Sequence, residues 1–252
     1  MFRSKGIFEG IEIFTDSNSG VEMPVRYYRA EMIVSLFEAD LEPLLPLMPH
    51  PRMHPVRRGN HKSAISIIQT VCNHGSLPPY RSVAIAIPIT IGKWPAPSYL
   101  PLLFEESWPN KGLFIYKEAL NTGDSFSAMT EVWGYPAMLT EVNHDMIDDN
   151  HLETTVTEEE KILAVRIKRP NYVREERKDL MFYSVKQGYV CENIVRIEAS
   201  EDFSRRPDSS VIVFGKHPLG QQLKAMGVGP YCLATRSFLD MKSVRLQPRY
   251  LE

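Results

Sequence analysis

Ser63-Ala64-Ile65-Ser66-Ile67-Ile68-Gln69-Thr70-Val71 and Val83-Ala84-Ile85-Ala86-Ile87-Pro88-Ile89-Thr90-Ile91 are dense in β-branched residues and end at turn residues. Each reads as a strand buried on one or both faces. Working outward, Tyr27 to Phe37 alternates, with Ala30, Met32, Val34 and Leu36 on one face. Leu113 to Leu120 and Ser125 to Trp133 flank the turn-like Asn121-Thr122-Gly123-Asp124 and are expected to form a hairpin. Leu152 to Thr157 and Lys161 to Lys168 flank Glu158-Glu159-Glu160 as a second hairpin, and Tyr189 to Glu198, Ser210 to Phe214 and Cys232 to Leu246 complete the strands. Two helices are expected. One is capped by Asp40 with Pro43 in its first turn, and one is opened by His217-Pro218 and stopped at Gly227. Strands outnumber helices without strand–helix alternation, which predicts an α+β, mainly β fold built on antiparallel strands with a few peripheral helices.

The chain has 252 residues, 43% hydrophobic and 24% charged, an ordinary globular balance. That length fits one large β-rich domain, and no composition break divides it, so residues 1–252 are read as a single domain with 1–25 as an N-terminal extension. Lys+Arg 29 against Asp+Glu 31 leaves a net charge of −2, so no basic excess drives nucleic-acid binding. No apolar run approaches the length of a membrane span, and Met1 to Gly6 lacks the apolar run of a secretory signal. The expectation is a cytoplasmic protein with no membrane partner. Cys72, Cys191 and Cys232 are odd in number and lack metal spacing, so they are read as free buried thiols.

Motifs for nucleotides, zinc proteases and serine hydrolases are missing. His50 and His54 are separated by prolines that forbid a shared helix face. His144 with Asp145, Asp148 and Asp149 has a metal-like composition, but the run is read as a solvated loop, so no metal and no cofactor are expected. Gly92 to Gly112 carries four prolines together with Trp94, Tyr99, Leu100, Leu102, Leu103, Phe104 and Trp108. So long and apolar a connection is expected to pack against a partner subunit or its own domain, or to act as a pocket lid.

Thr130-Glu131-Val132-Trp133-Gly134-Tyr135-Pro136-Ala137-Met138-Leu139 resembles the signature of the acetoacetate decarboxylase family. Glu31 to Pro49, Tyr80 to Pro88, Phe214 to Gly220 and the last strand resemble further parts of it, so the likeness runs from about Tyr27 onward. The resemblance implies a β barrel or cone, a pocket for a small keto acid and assembly into a homo-oligomer. It also implies a pair of lysines after the proline, the first forming a Schiff base as a free amine whose pKa is depressed by desolvation or a neighbouring cation. Here those positions are Ala137 and Met138, which cannot attack a carbonyl. The family's pocket glutamate falls on Ser82, beside Arg81, and its pocket arginine on Ala30, beside Arg29.

The resemblance also places Glu118 where the family has an apolar pocket residue. A carboxyl there would have a raised pKa and could act as general acid or base; otherwise Glu118 faces solvent. Tyr135 matches the family's pocket tyrosine and could donate a hydrogen bond to a carbonyl. Tyr28, Arg29, Tyr80, Arg81, Ser82, Trp133, Ala137 and Met138 are the expected lining residues. Lys117 neighbours Glu118 on the strand, so at most one of the two reaches the pocket. The expected function is acid–base chemistry on a keto or enol small molecule, a keto acid or polyketide-like compound, by cyclisation, isomerisation, dehydration or decarboxylation. A non-catalytic binder on the same fold is the alternative. A Schiff-base enzyme whose lysine has moved to Lys117 or Lys93 is a third reading.

Overall fold

The computed structural model describes residues 6–103, 108–168 and 174–251. A small hairpin of β1 (Phe14–Thr15) and β2 (Glu22–Met23) leads into β3 (Val25–Asp40), β4 (Met53–Pro55), β5 (Lys62–Gly75) and β6 (Tyr80–Ile91). Helix α1 (Leu100–Leu103), β7 (Lys111–Leu120), helix α2 (Gly123–Glu131) and β8 (Ala137–Leu139) follow. Next come β9 (Glu141–Asp148), β10 (His151–Thr157), β11 (Lys161–Lys168), β12 (Arg174–Lys186), β13 (Tyr189–Ser204) and β14 (Ser210–Phe214). The order ends with helix α3 (Pro218–Ala225), β15 (Cys232–Arg245) and β16 (Arg249–Leu251).

Seven strands close on themselves in the order β6-β5-β3-β15-β13-β12-β7, with β7 pairing back onto β6. Closure removes the sheet edges that would otherwise invite association. All barrel pairings are antiparallel except β7 with β12. At that crossing Gly112 lets the backbones meet, since a Cβ there would lie 2.4 Å from the Met181 carbonyl oxygen. A second sheet, β14-β11-β10-β9, packs on the outside of the barrel. Its Val142, Val156, Leu163 and Ile212 share a cluster with Val83, Ile85, Ile87 and Ile89 of β6. The other face of β6 looks inward with Tyr80, Ala84 and Ala86. Two buried faces explain why this strand reads as a continuous apolar run rather than an alternation.

The mainly β architecture matches the expectation, as do the Leu152–Thr157 and Lys161–Lys168 hairpin and the helix opened by His217-Pro218. The His217 ring caps α3 by accepting from the Leu219 N–H, and Pro218 sits in the first turn. Two expectations about these elements are corrected, and one strand had no counterpart in the sequence reading. Ser125 to Trp133 is not the return strand of a hairpin but belongs largely to α2, because Ser125, Ala128 and Met129 recur at helical spacing and all are buried. Asp40 is the last residue of β3, salt-bridged to Lys62, and the following turn is only a 3₁₀ helix at Leu45–Leu47. Strand β12 was not foreseen, because its first half carries charges in place of an apolar stripe: Glu175, Arg177 and Lys178 make cross-strand contacts, and Arg174 pairs with Glu176 along the strand.

The His144 run lies on strand β9. No group of three metal-ligating side chains occurs among the described residues. His144 Nδ1 donates to Thr154 Oγ1 at 2.6 Å, and that hydroxyl donates to Gln69 Oε1 of the barrel at 2.5 Å, so the ring ties the outer sheet to β5. Burial first, and the nearby Arg81 charge second, hold the His144 pKa down to about 4. The unfolded chain therefore binds this proton more readily than the folded one. Stability from this residue is complete above its ordinary value and is lost as pH falls from about 6.5 to about 4, amounting to roughly 3 kcal/mol. Urea titrations across that range should show the slope in the wild type and a flatter curve in His144→Gln.

Candidate functional site inside the barrel

Strands β3, β5, β6, β7, β12, β13 and β15 all contribute to the inward cluster, through residues that include Tyr27, Ile68, Tyr80, Ile115, Phe182, Val195 and Met241. Helix α2, with Ala128 and Met129, and the turn after it, with Val132 and Trp133, plug one end. Beyond it Gly134, at φ +65, turns the chain so that the Tyr135 N–H bonds back to the Met129 carbonyl at 3.0 Å. That turn delivers Tyr135 into the interior and lays β8 parallel to β7, with Ala137 opposite Glu118.

Glu118 is 4% exposed, so it does not face solvent. Its pKa is raised, chiefly by burial, against the opposing pull of Arg245 and the Ser82 hydroxyl. Oε2 has no hydrogen-bond partner. Tyr135 is buried with its hydroxyl unbonded, although Asn193 is close enough to influence it, and burial raises its pKa well above the usual phenol range. Tyr80 donates to Tyr27 at 3.0 Å, and both rings are buried.

The barrel brings Glu118, Tyr135, Tyr80, Ser82, Trp133 and Ala137 to the inside. Trp133 is wholly buried, donates its indole N–H to the Leu246 carbonyl at 3.0 Å and closes the barrel end as a packing platform. Four expected lining residues are placed elsewhere. Tyr28 stacks near Phe8 and His74, and Arg29 is exposed. A register shift around Tyr27, Arg29 and Ala30 breaks the alternation there, so Tyr27 takes the inward place that strict period two would give Tyr28. Arg81 alternates with the inward Tyr80 and Ser82, and Met138 packs against the outer-sheet cluster. Lys117 also points outward, into the apolar gap beside Val83, Met138 and Leu163, and Lys93 is exposed beside Trp94. The connection from Gly92 to Gly112 joins the far ends of β6 and β7. Its described part folds back on residues 52–59, with the Tyr99 N–H bonded to the Arg57 carbonyl; Leu102 to Glu106, with Ser107, fall outside the described side chains.

Arg245 was missed by sequence reasoning. Its Nε is fully shielded and unpartnered, its Nη1 meets Met129 Sδ at 2.8 Å, and its guanidinium lies 5.1 Å from the Trp133 ring centre and 5.7 Å from that of Tyr135. With Tyr27, Tyr80, Thr70, Met32, Met241 and Ser243 it borders a cavity with about 10 Å³ open to the centre of a water-sized sphere. That is room for one water. A larger ligand needs side chains to move, and Met32 and Met241 are the adaptable ones. The interior thus joins a half-buried cation with a shielded Nε, a carboxyl group held toward its neutral form and three phenols.

No family model and no curated protein matches the chain. Solved structures do. An acetoacetate decarboxylase from Legionella pneumophila superposes with a TM-score of 0.64 at 10% identity, over 91% of this chain and 87% of that one. A second acetoacetate decarboxylase gives 0.60 at 12% identity, over 90% and 89%. The enduracididine biosynthesis enzyme MppR, complexed with pyruvate, gives 0.59 at 9% identity, over 91% and 90%.

Proposed function

From a chain that has the acetoacetate decarboxylase fold, we propose an enzyme that acts on a small keto- or enol-bearing molecule by acid–base chemistry, without a Schiff-base lysine. The observation that carries this reading is Glu118, a carboxyl inside the barrel with one oxygen unpartnered and a raised pKa, across the strand pair from Ala137. A neutral Glu118 gives its proton to the substrate carbonyl oxygen as an enol forms, and the carboxylate takes a proton back from the reacting centre. Tyr135 donates a hydrogen bond to the same oxygen. Isomerisation, cyclisation, dehydration and decarboxylation of keto compounds can all pass through such an enol.

The placement of the charged groups supports the reading. Where the family resemblance puts a glutamate, β6 carries Ser82, and the neighbouring strand β7 supplies Glu118. Where it puts an arginine, β3 carries Ala30, and the neighbouring strand β15 supplies Arg245. No lysine is among the fully buried described residues.

The test is exchange of carbon-bound protons into D₂O, followed by NMR for a panel that includes pyruvate and acetoacetate. The protein should accelerate exchange beside the keto group above the buffer rate, and Tyr135→Phe should slow it roughly a hundredfold. Borohydride added during turnover should leave every lysine unmodified. A reduced adduct mapped to one lysine would return the protein to Schiff-base chemistry. Ligand bound with no exchange across the panel would make it a binder.

A further inference from the structure

We infer that Arg245 selects the ligand by charge, so that the barrel interior admits small monocarboxylates and rejects their neutral esters. This rests on the interior being the ligand site proposed above. A guanidinium carries five N–H donors, and burying it is costly unless they are met. Here Nη1 meets only a thioether, which is a weak acceptor, and Nε meets nothing. Among the described residues no carboxylate oxygen lies within ion-pairing distance of Arg245. The faces of Trp133, Tyr135 and Phe182 offset part of the cost but supply no acceptor along the N–H directions.

The unmet donor stands beside the cavity, and so does a second unpartnered group, the Ser243 hydroxyl, two residues earlier on β15. The Tyr27 phenol, which accepts from Tyr80 and keeps its own proton to donate, borders the same space. Donors of this kind around a positive charge fit a carboxylate, which accepts on both oxygens. The charge count limits it to one. Arg245 is the one cationic side chain lining the cavity among the described residues, so one carboxylate finds its counter-charge there and a second finds none. Met32 and Met241 line the place where the carboxylate would enter.

Isothermal titration with pyruvate, methyl pyruvate and ketomalonate tests this on the full chain. The wild type should bind pyruvate roughly tenfold to a hundredfold more tightly than either the ester or the dianion. Arg245→Met should lose that preference, and Arg245→Lys, which keeps the charge, should retain most of it. Equal binding of pyruvate and its ester by the wild type overturns the inference, as does failure to bind pyruvate at millimolar concentration. The wild-type comparison needs no variant to fold. It is also separate from the acid–base reading: a protein that prefers the acid but never exchanges its protons keeps the Arg245 assignment and loses the catalytic one.

Discussion

Glu118→Gln should lower turnover of any accepted substrate by about 10²- to 10⁴-fold, the range lost with a general acid or base. The same change should make the folded protein more stable near neutral pH. Burial raises the Glu118 pKa above its ordinary value of 4.5, so the folded state holds this proton more tightly than the unfolded chain. For a carboxyl shifted upward the stability is greatest at acid pH and declines as pH rises from the unfolded pKa through the folded one. Glutamine keeps the shape and cannot ionise, so the variant escapes that decline. Its advantage over the wild type should vanish below about pH 4.5. Activity lost with stability gained is the signature of a functional site held at a cost. A Glu118→Gln protein that turns over normally, or that is less stable than the wild type at neutral pH, would remove Glu118 from the chemistry.

Trp133→Ala should cost about 3–5 kcal/mol, the range for deleting a fully buried large aromatic side chain. The indole is 0% exposed, and its loss also strands the Leu246 carbonyl that accepts its N–H. The effect should spread to the interior, because the ring is one of the faces on which Arg245 rests and its own carbonyl accepts from Ser184 Oγ. A chain of this size should melt about 10 °C lower. Trp133→Phe should recover part of the loss, because it refills most of the volume but not the hydrogen bond. A thermal shift of only a degree or two for the alanine variant would show that α2 does not seal the barrel as described.

Several features were legible in the residues because each depends on local order. Ser63 to Val71 and Val83 to Ile91 announce strands with two buried faces, and His217-Pro218 through Gly227 announces a capped helix. The stretch from Trp133 to Ala137 points to the family because its glycine turn and its parallel strand come from consecutive residues. That Lys117 and Glu118 face opposite ways was legible from their adjacency, but which of them turns inward follows from the register shift of β7 against β6 between Ile115 and Lys117.

Helix α2 was misread because a segment this short satisfies both periods, and the barrel end that buries Ser125, Ala128 and Met129 decides between them. Tyr28 shares the period-two face of Ala30, and the irregular register of β3 against β5 puts Tyr27 inside in its place, while Arg29, named for its nearness to the family's arginine position, stays on the outer face. The same physics hid Arg245. Strand β15 slips register between Phe238 and Met241, where Asp240 adopts φ +46. Phe238 and Met241 consequently share the inner face three residues apart, and Ser243 and Arg245 follow Met241 inside. Counted by twos from Phe238, Arg245 would point to solvent, the ordinary place for an arginine. Composition and period alone therefore determined most of the segments that become strands and the mainly β class, and the family resemblance added the expectation of a barrel. Which side chains meet inside it was decided by bulges, and a bulge exists only as a mismatch between two paired strands.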